Sequence, residues 1–362
     1  MMKTPLFDTH VGLNARIVDF HGWEMPVWYT GIKAEHLATR KACGLFDISH
    51  MGEIHVSSQG ATSFLNHMLT IDVYPMEEGE VKYTFLLNPD GGIIDDLTVY
   101  CIRPEDTYML CVNASNKNKD FKWLVSHNND LCLLKDKSAH TAMLALQGPH
   151  ASNILKACLD FDLEDIDRFR FRMHTIPEFG DLLISRTGYT GADGVEIFMT
   201  NEYVVALWNE FVKKGATPCG LGSRDTLRLE MGYPLHGNDI DEHTTPFEAR
   251  LSFAVDLNKD FFMGKDALIK HKNKGLKRRL TGLELMEKGV PRQGHVCLKK
   301  DKEIGVITSG SISPVLNKGI ALCYLDSSIT EAQQIEVLIR NRRVKAIVKR
   351  PPFVKGQIHK SG

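Results

Sequence analysis

The stretch "NPDGGIIDDLTVY" (residues 88–100) sets Asp95 and Asp96 side by side where a glycine turn hands over to an apolar strand. Asn-Pro-Asp-Gly-Gly is turn chemistry, so "VKYTFLLN" (81–88) and "IIDDLTVYCI" (93–102) read as an antiparallel pair. Adjacent carboxylates are poor strand material. A chain that carries them there is either filling out a loop or placing an acid where something will meet it. Strand neighbours point to opposite faces, so the two cannot work as a matched acid/base couple. Asp95 groups with Leu97 and Val99, and Asp96 with Ile94, Thr98 and Tyr100. One aspartate is expected to look inward or into a cleft, the other to meet loop solvent or cap a turn.

Outward from this hairpin, "TYMLCVN" (107–113) reads as a third strand. "ASNKNKDFKWLVSH" (114–127) reads as a helix, with Phe121, Leu124 and Val125 at helical spacing. Upstream, "ATSFLNHMLT" is a helix, and so is "IKAEHLATRKACG" (32–44), with Gly44 as its left-handed stop. Downstream, "LLISRTGYTGADGVEIFM" (182–199) is a hairpin with a long glycine-rich tip. Two amphipathic helices follow: "YVVALWNEFVKKG", closed by Gly215, and "GSRDTLRLEMG", with Arg224 and Arg228 one turn apart. From about residue 280 come short β-rich pieces ("TGLEL", "GVITSG", "GIALCYL", "QIEVLI", "VKAIV"), as in a small barrel or jelly roll. The pattern predicts an antiparallel α+β architecture, not a doubly wound parallel sheet.

Bulk properties narrow the function. The 362 residues suggest two to three domains. A net charge of −1 gives no sign of a nucleic-acid or anionic-membrane partner. The basic run "KHKNKGLKRRL" (270–280) reads as a solvated connector. Eight cysteines are scattered without a CxxC pair, which argues for reduced core residues rather than a metal knuckle or redox couple. "MMKTPLFDTHVG" lacks the apolar stretch of a signal peptide, and no run approaches the roughly 20 apolar residues of a membrane span. The expectation is a cytoplasmic chain, or a mitochondrial-matrix one if a longer precursor exists. There is no GxGxxG after a strand, no phosphate loop, no HExxH and no G-x-S-x-G. Any group this chain handles must arrive already activated.

Glu196 lies between Val195 and Ile197 in an apolar strand, an expensive place for a carboxylate unless donors meet it. Either a core-facing arginine pairs with it, or it recognises an N–H/NH₂ edge of a planar heterocycle through two parallel hydrogen bonds. Tyr189 on the glycine turn could stack or hydrogen-bond nearby. Arg224 could reach a carbonyl or carboxylate of the same ligand, or pair with Glu196 or Asp225. The histidines of "HGW" (21–23) and "SHMGE" (49–53) read as structural residues in tight turns.

Several segments taken in order resemble the T-proteins of glycine cleavage systems, tetrahydrofolate-dependent aminomethyltransferases. They are "VDFHGWEMPVWY", "GLFDISHMGEIHV", "LLNPDGGIIDDLTVY", "VNASNKNKD", "LALQGP", "RTGYTGADGVEI", "PCGLGSRDTLRLEMGYPLHGNDIDE" and "GVITSGSISPVL…GIALCYL". The resemblance implies a three-domain cloverleaf: residues 1–50 with 138–245, an α+β insert 51–137, and a linker with C-terminal β-barrel over 246–362. It implies tetrahydrofolate as co-substrate in a central opening, with no metal, flavin or nicotinamide, and a lipoylated H-protein as partner. By residue matching it implies Asp96 as the catalytic acid, with electrostatic positioning as its main role at an ordinary carboxyl pKa near 4, and Asp95 as structural. Glu196 would hold the pterin, Arg224 and Tyr189 would bind folate, and Tyr83, Thr98, Asn113 and Met51 would complete the wall. Arg292 in "VPRQG" resembles a third-domain arginine of the family. Three departures stand out: Ala192 where relatives carry an acid, His236 for a common tyrosine, and Ile358 near a folate-contacting tyrosine. Relatives of the same fold that demethylate other substrates, or only bind folate, are the alternative.

Overall fold

A computed structural model describes residues 1–357. The turn at 88–92 forms as its residues dictate. Asn88 Oδ1 accepts from the backbone N–H groups of Asp90 (3.0 Å) and Gly92 (2.9 Å), while Gly91 takes φ +82°. Val81–Leu87 pairs antiparallel with Ile93–Arg103, with Phe85 opposite Asp96, Leu86 opposite Asp95, and a bulge at Leu86/Leu87. The sheet continues through Thr107–Val112 and Gly52–Ser57 to Leu133–Asp136.

Alternation along the second strand sorts its side chains. Leu97 and Val99 join the core that holds Phe64, Leu65 and Leu124 of the helices Ala61–Met68 and Lys117–His127. Tyr100, on the face of Asp96, packs against Phe46 and Phe198 of a second sheet. That sheet has six strands in the order Phe171–Ile176, Gly180–Ser185, Gly194–Thr200, Thr141–Gln147, Gly44–Asp47, Thr217–Pro218. Its Val195 and Ile197 face a core shared with Leu155, Trp208 and Phe211 of the helices Ala151–Leu159 and Val204–Lys213. Glu196 and Phe198 therefore face back toward the first sheet.

The C-terminal strands close into a six-stranded antiparallel barrel, which settles the choice against a jelly roll. It runs Arg278–Leu285, Lys318–Asp326, Lys302–Ser313, Val296–Lys299, Gln334–Ile339, Arg342–Lys349. Met2–Lys3, Trp23–Trp28 and Arg16–Phe20 form a small third sheet. The expected α+β class is found, with two short parallel pairings in otherwise antiparallel sheets. Among the described residues no helix is long and apolar enough to cross a membrane. All eight cysteines are free.

Two local expectations are corrected. Gly44 does not stop a helix: Ile32–Lys41 ends earlier, and Gly44 opens a strand. It is glycine because a Cβ there would lie 2.2 Å from the Thr39 hydroxyl. Val125 is half exposed, so the buried stripe of its helix runs through Leu124 with Phe121 beside it. The basic run 270–280 is exposed over most of its length, as expected, and links the helix Lys265–Lys274 to the first barrel strand. Ahead of it, Phe262 and Leu268 share one core with Phe85, Leu87 and Ile93.

Arg228, on the helix Leu221–Met231, ties these parts together. Its guanidinium donates to Asp239 Oδ2 (2.7 Å), Tyr233 O (3.0 Å), Asp225 Oδ1 (2.8 Å) and the barrel's Ser309 Oγ (2.8 Å). Asp239 also accepts from the barrel's Thr308 (2.5 Å) and Ser309 (2.8 Å). Removing one member of a buried ion pair strands the other in low dielectric. Asp239→Ala is expected to cost about 3–5 kcal/mol, read as a lower urea midpoint, with the barrel's amides losing hydrogen-exchange protection first.

Candidate functional site

The inner faces of the two sheets, the helix Leu221–Met231 and the barrel enclose a cavity of about 720 Å³. Met51, Tyr83, Asp96, Thr98, Asn113, Tyr189, Glu196 and Arg224 all line it. These eight residues come from both sheets, the hairpin tip and the helix. Arg292 lies elsewhere, exposed, donating to Gly310 O at 3.2 Å. Ile358 lies outside the described residues.

Asp96 is held from two sides. The Tyr83 hydroxyl donates to its Oδ2 at 2.9 Å, and the Asn113 side-chain amide donates to its Oδ1 at 2.9 Å. Burial, then the charge of Asp95, push its carboxyl up to about 6, against the opposing pull of His236 and the two hydrogen bonds. That overturns the ordinary pKa expected from the residue type. Asp95 does not meet solvent; it faces the turn at 113–116 that leads into the helix Lys117–His127. It is fully buried on the helix side, accepting from the Asn113 N–H (3.0 Å), the Asn113 amide (2.9 Å) and the Asn116 amide (2.5 Å). The paired aspartates thus do separate work, one on each face of the sheet.

Glu196 accepts from the Thr187 hydroxyl at 2.6 Å through Oε2. Its Oε1 is 3.9 Å from Arg224 Nη2, a long contact that leaves the oxygen open to a stronger donor. The Arg224 guanidinium lies 5.2 Å from the centre of the Tyr189 ring. Its buried Nη1 has no hydrogen-bond partner among the described residues. Tyr189 donates its hydroxyl to Pro234 O and stacks beside Tyr233, the ring centres 5.8 Å apart. The arginine partner expected for Glu196 is thus found as a loose ion pair.

The wall also holds residues not expected to bind, among them His50 and Phe253, and two of the departures noted in the chain, His236 and Ala192. His50, read as a turn residue, lines the cavity, and burial pushes its imidazole down to about 4, so it is neutral at pH 7. His236 fills its tyrosine-like position by accepting at Nδ1 from the Asn116 amide (2.9 Å) and donating from Nε2 to Ile93 O (3.2 Å). Ala192 lines the wall with no acid beside it in the turn except Asp193, which a two-pronged contact with Arg186 (2.7 and 3.1 Å) occupies. Phe253, three-quarters exposed, stacks over Tyr83 at 6.0 Å. Its position follows from the chain path after residue 245 and from no local pattern. Among the described residues no group of three or more His, Cys, Asp or Glu is placed to hold a metal ion.

Two sheets and a closed C-terminal barrel around a cavity with acidic and basic walls define the class of fold, and comparison with known proteins gives its family. Residues 6–259 match the GCVT N-terminal domain family, and residues 278–355 the glycine cleavage T-protein C-terminal barrel domain. An aminomethyltransferase of Halothermothrix orenii is 45% identical over 359 residues, covering 98% of this chain and 100% of that one. One of Caldanaerobacter subterraneus subsp. tengcongensis is 45% identical over 361 residues, covering 98% and 96%. The crystal structure of glycine cleavage system aminomethyltransferase T from Bartonella henselae superposes with a TM-score of 0.93 at 33% identity, covering 99% of both chains. The chain belongs to the glycine cleavage T-protein family. Its activity is that of an aminomethyltransferase of the glycine cleavage system.

A carboxyl titrating near 6 and held by a phenol loses that support when the phenol goes. One pKa unit corresponds to about 1.4 kcal/mol, close to one hydrogen bond to a charged group. NMR titration should give Asp96 a midpoint of about 6. In Tyr83→Phe that midpoint should rise by about one unit.

Proposed function

We propose that the cavity binds tetrahydrofolate, and that the chain passes to it the one-carbon unit of an aminomethyl group presented as a thioaminal on the lipoyl arm of an H-protein. The products are 5,10-methylenetetrahydrofolate, ammonia and the dihydrolipoyl carrier. Each of the two folate N–H hydrogens replaced by the methylene bridge leaves on a product, one on the thiol and one on ammonia. The observation that carries the reading is the placing of two carboxylates, the half-buried Asp96 and the buried Glu196, around one cavity with Arg224 Nη1, which has no partner among the described residues. These groups fit the co-substrate: Glu196 Oε1 and Oε2 match an N–H/NH₂ edge, and Arg224 Nη1 suits a carbonyl. Tyr189 offers a flat, rigid face beside them.

Asp96 supplies the chemistry this chain owns. As the carbon–sulfur bond of the thioaminal breaks, positive charge develops on the aminomethyl group. A fixed carboxylate in a site sheltered from water stabilises it without reorganisation. With its pKa raised to about 6, Asp96 can also accept a proton from an attacking nitrogen near neutral pH. Tyr83 and Asn113 hold it in place for both tasks. Because the ionised form does the work, turnover should fall as pH drops through about 6.

We also assign three units to the chain: residues 1–50 with 138–245, residues 51–137, and residues 246–362. Their support is that the six-stranded sheet, the five-stranded sheet and the barrel each draw strands from one of these units alone.

The deciding assay uses purified protein with aminomethylated H-protein, with and without tetrahydrofolate; ammonia release that ignores the folate would sink the reading. Asp96→Asn should cut turnover about 10²-fold or more while folate affinity is retained, and full turnover in that variant would refute the catalytic role. Glu196→Ala should weaken folate binding by about 2–4 kcal/mol. Calorimetry returning wild-type affinity would remove Glu196 from the pterin site.

A further inference from the structure

Beneath Asp96 lies a second acid that the proposed chemistry does not use. Asp120, on the helix Lys117–His127, is fully buried, and neither carboxyl oxygen meets an N–H or hydroxyl donor among the described residues. It stands one helical turn after Asn116, its N–H donating to Asn116 O (2.8 Å), and the Asn116 amide grips Asp95 at 2.5 Å, which brings the two acids together. Two neighbouring carboxylates away from water cannot both be ionised. Asp95 takes three amide hydrogen bonds, from the Asn113 N–H, the Asn113 side chain and the Asn116 side chain, so it is the partner equipped to hold the charge. The proton then belongs to Asp120, whose carboxyl burial and Asp95 together push up to about 11.

The pair reaches the cavity through two asparagines. Asn113, fixed to Asp95 at two points, turns its amide onto Asp96 O and Asp96 Oδ1, each at 2.9 Å. Asn116 bridges Asp95 Oδ1 and His236 Nδ1. Resting on the catalytic role proposed for Asp96, we propose that Asp120 is a positioning residue. As a neutral acid it donates to Asp95, so that the Asp95 carboxylate holds Asn113, and through it Asp96, in one orientation.

The other charged and titratable groups facing this network do not supply the donor. Lys119, on the same helix, sends its ammonium to Ile94 O (2.9 Å) and Glu242 (2.7 Å). Tyr83, on the neighbouring strand, donates to Asp96. His236 donates to a backbone carbonyl and accepts from Asn116.

Three measurements on the full-length protein decide the matter. Asp120→Asn keeps a donor and has no charge at any pH, so kcat and the acid-limb midpoint of kcat/KM should match wild type. Asp120→Leu keeps the bulk and loses the donor; kcat should fall about 10- to 10²-fold with the KM for tetrahydrofolate unchanged. Infrared spectra with aspartate-selective carbon labelling at pH 8 should show a protonated-carboxyl band in wild type that is missing from Asp120→Asn. An acid limb moved downward in Asp120→Asn would mean that a negative neighbour had been removed, and would overturn the proposal. So would a wild-type kcat in Asp120→Leu, or a wild-type spectrum without the band. If Asp120→Leu does not fold, the Asn variant and the spectrum still decide. Full turnover in Asp96→Asn would instead unseat the catalytic reading, and the infrared band separates the two failures because it needs no activity.

Discussion

Placing a carboxylate in a fold's interior is costly unless donors meet it, and this protein sets two of them, Asp96 on one sheet and Glu196 on the other, in the walls of one cavity. Each stands one position out of phase with residues that enter a helix-covered core. The period of two along each strand sends Leu97 and Val99, or Val195 and Ile197, into those cores and turns the acids toward the shared cavity. The cavity therefore has charged walls because its supporting layers are apolar on their far sides.

The acids are tolerable because the surrounding shell is specific. Asp96 has a phenol and an amide, and Glu196 has a hydroxyl and a distant guanidinium. Neither set neutralises its carboxylate with a close ion pair. A close cation would hold Asp96 far below neutrality and fill the acceptor positions of Glu196. By contrast, the carboxylate meant only to hold parts together, Asp239, is paired at 2.7 Å with Arg228 and bonded to two barrel hydroxyls. Two arginines one helical turn apart thus divide the labour: Arg228 locks the barrel against the helix, and Arg224 lines the cavity with one nitrogen unpartnered among the described residues.

How far these features could be read in the chain depends on how local their causes are. The Asn-Pro-Asp-Gly-Gly hairpin and the helix closed by Gly215 are each set by residues within a few positions, and they formed where expected. Gly44 misled because a glycine required by close side-chain approach looks the same in one dimension as a glycine required by a left-handed turn. Val125 misled because helical spacing gives a stripe without saying where its edge falls.

Strand alternation was enough to say that Asp95 and Asp96 could not share a task, and resemblance in order along the chain was enough to name eight of the residues that line the cavity. Which aspartate faced the cavity, and that Asp95 would be buried and held by three amide bonds, depended on which face the helix Lys117–His127 covers. The pKa of Asp96, the open oxygen of Glu196 and the proton on Asp120 belong to packing between segments far apart in number. Local pattern records what a residue's neighbours along the chain prefer; desolvation and the supply of donors are set by neighbours through space, and only the folded arrangement chooses those.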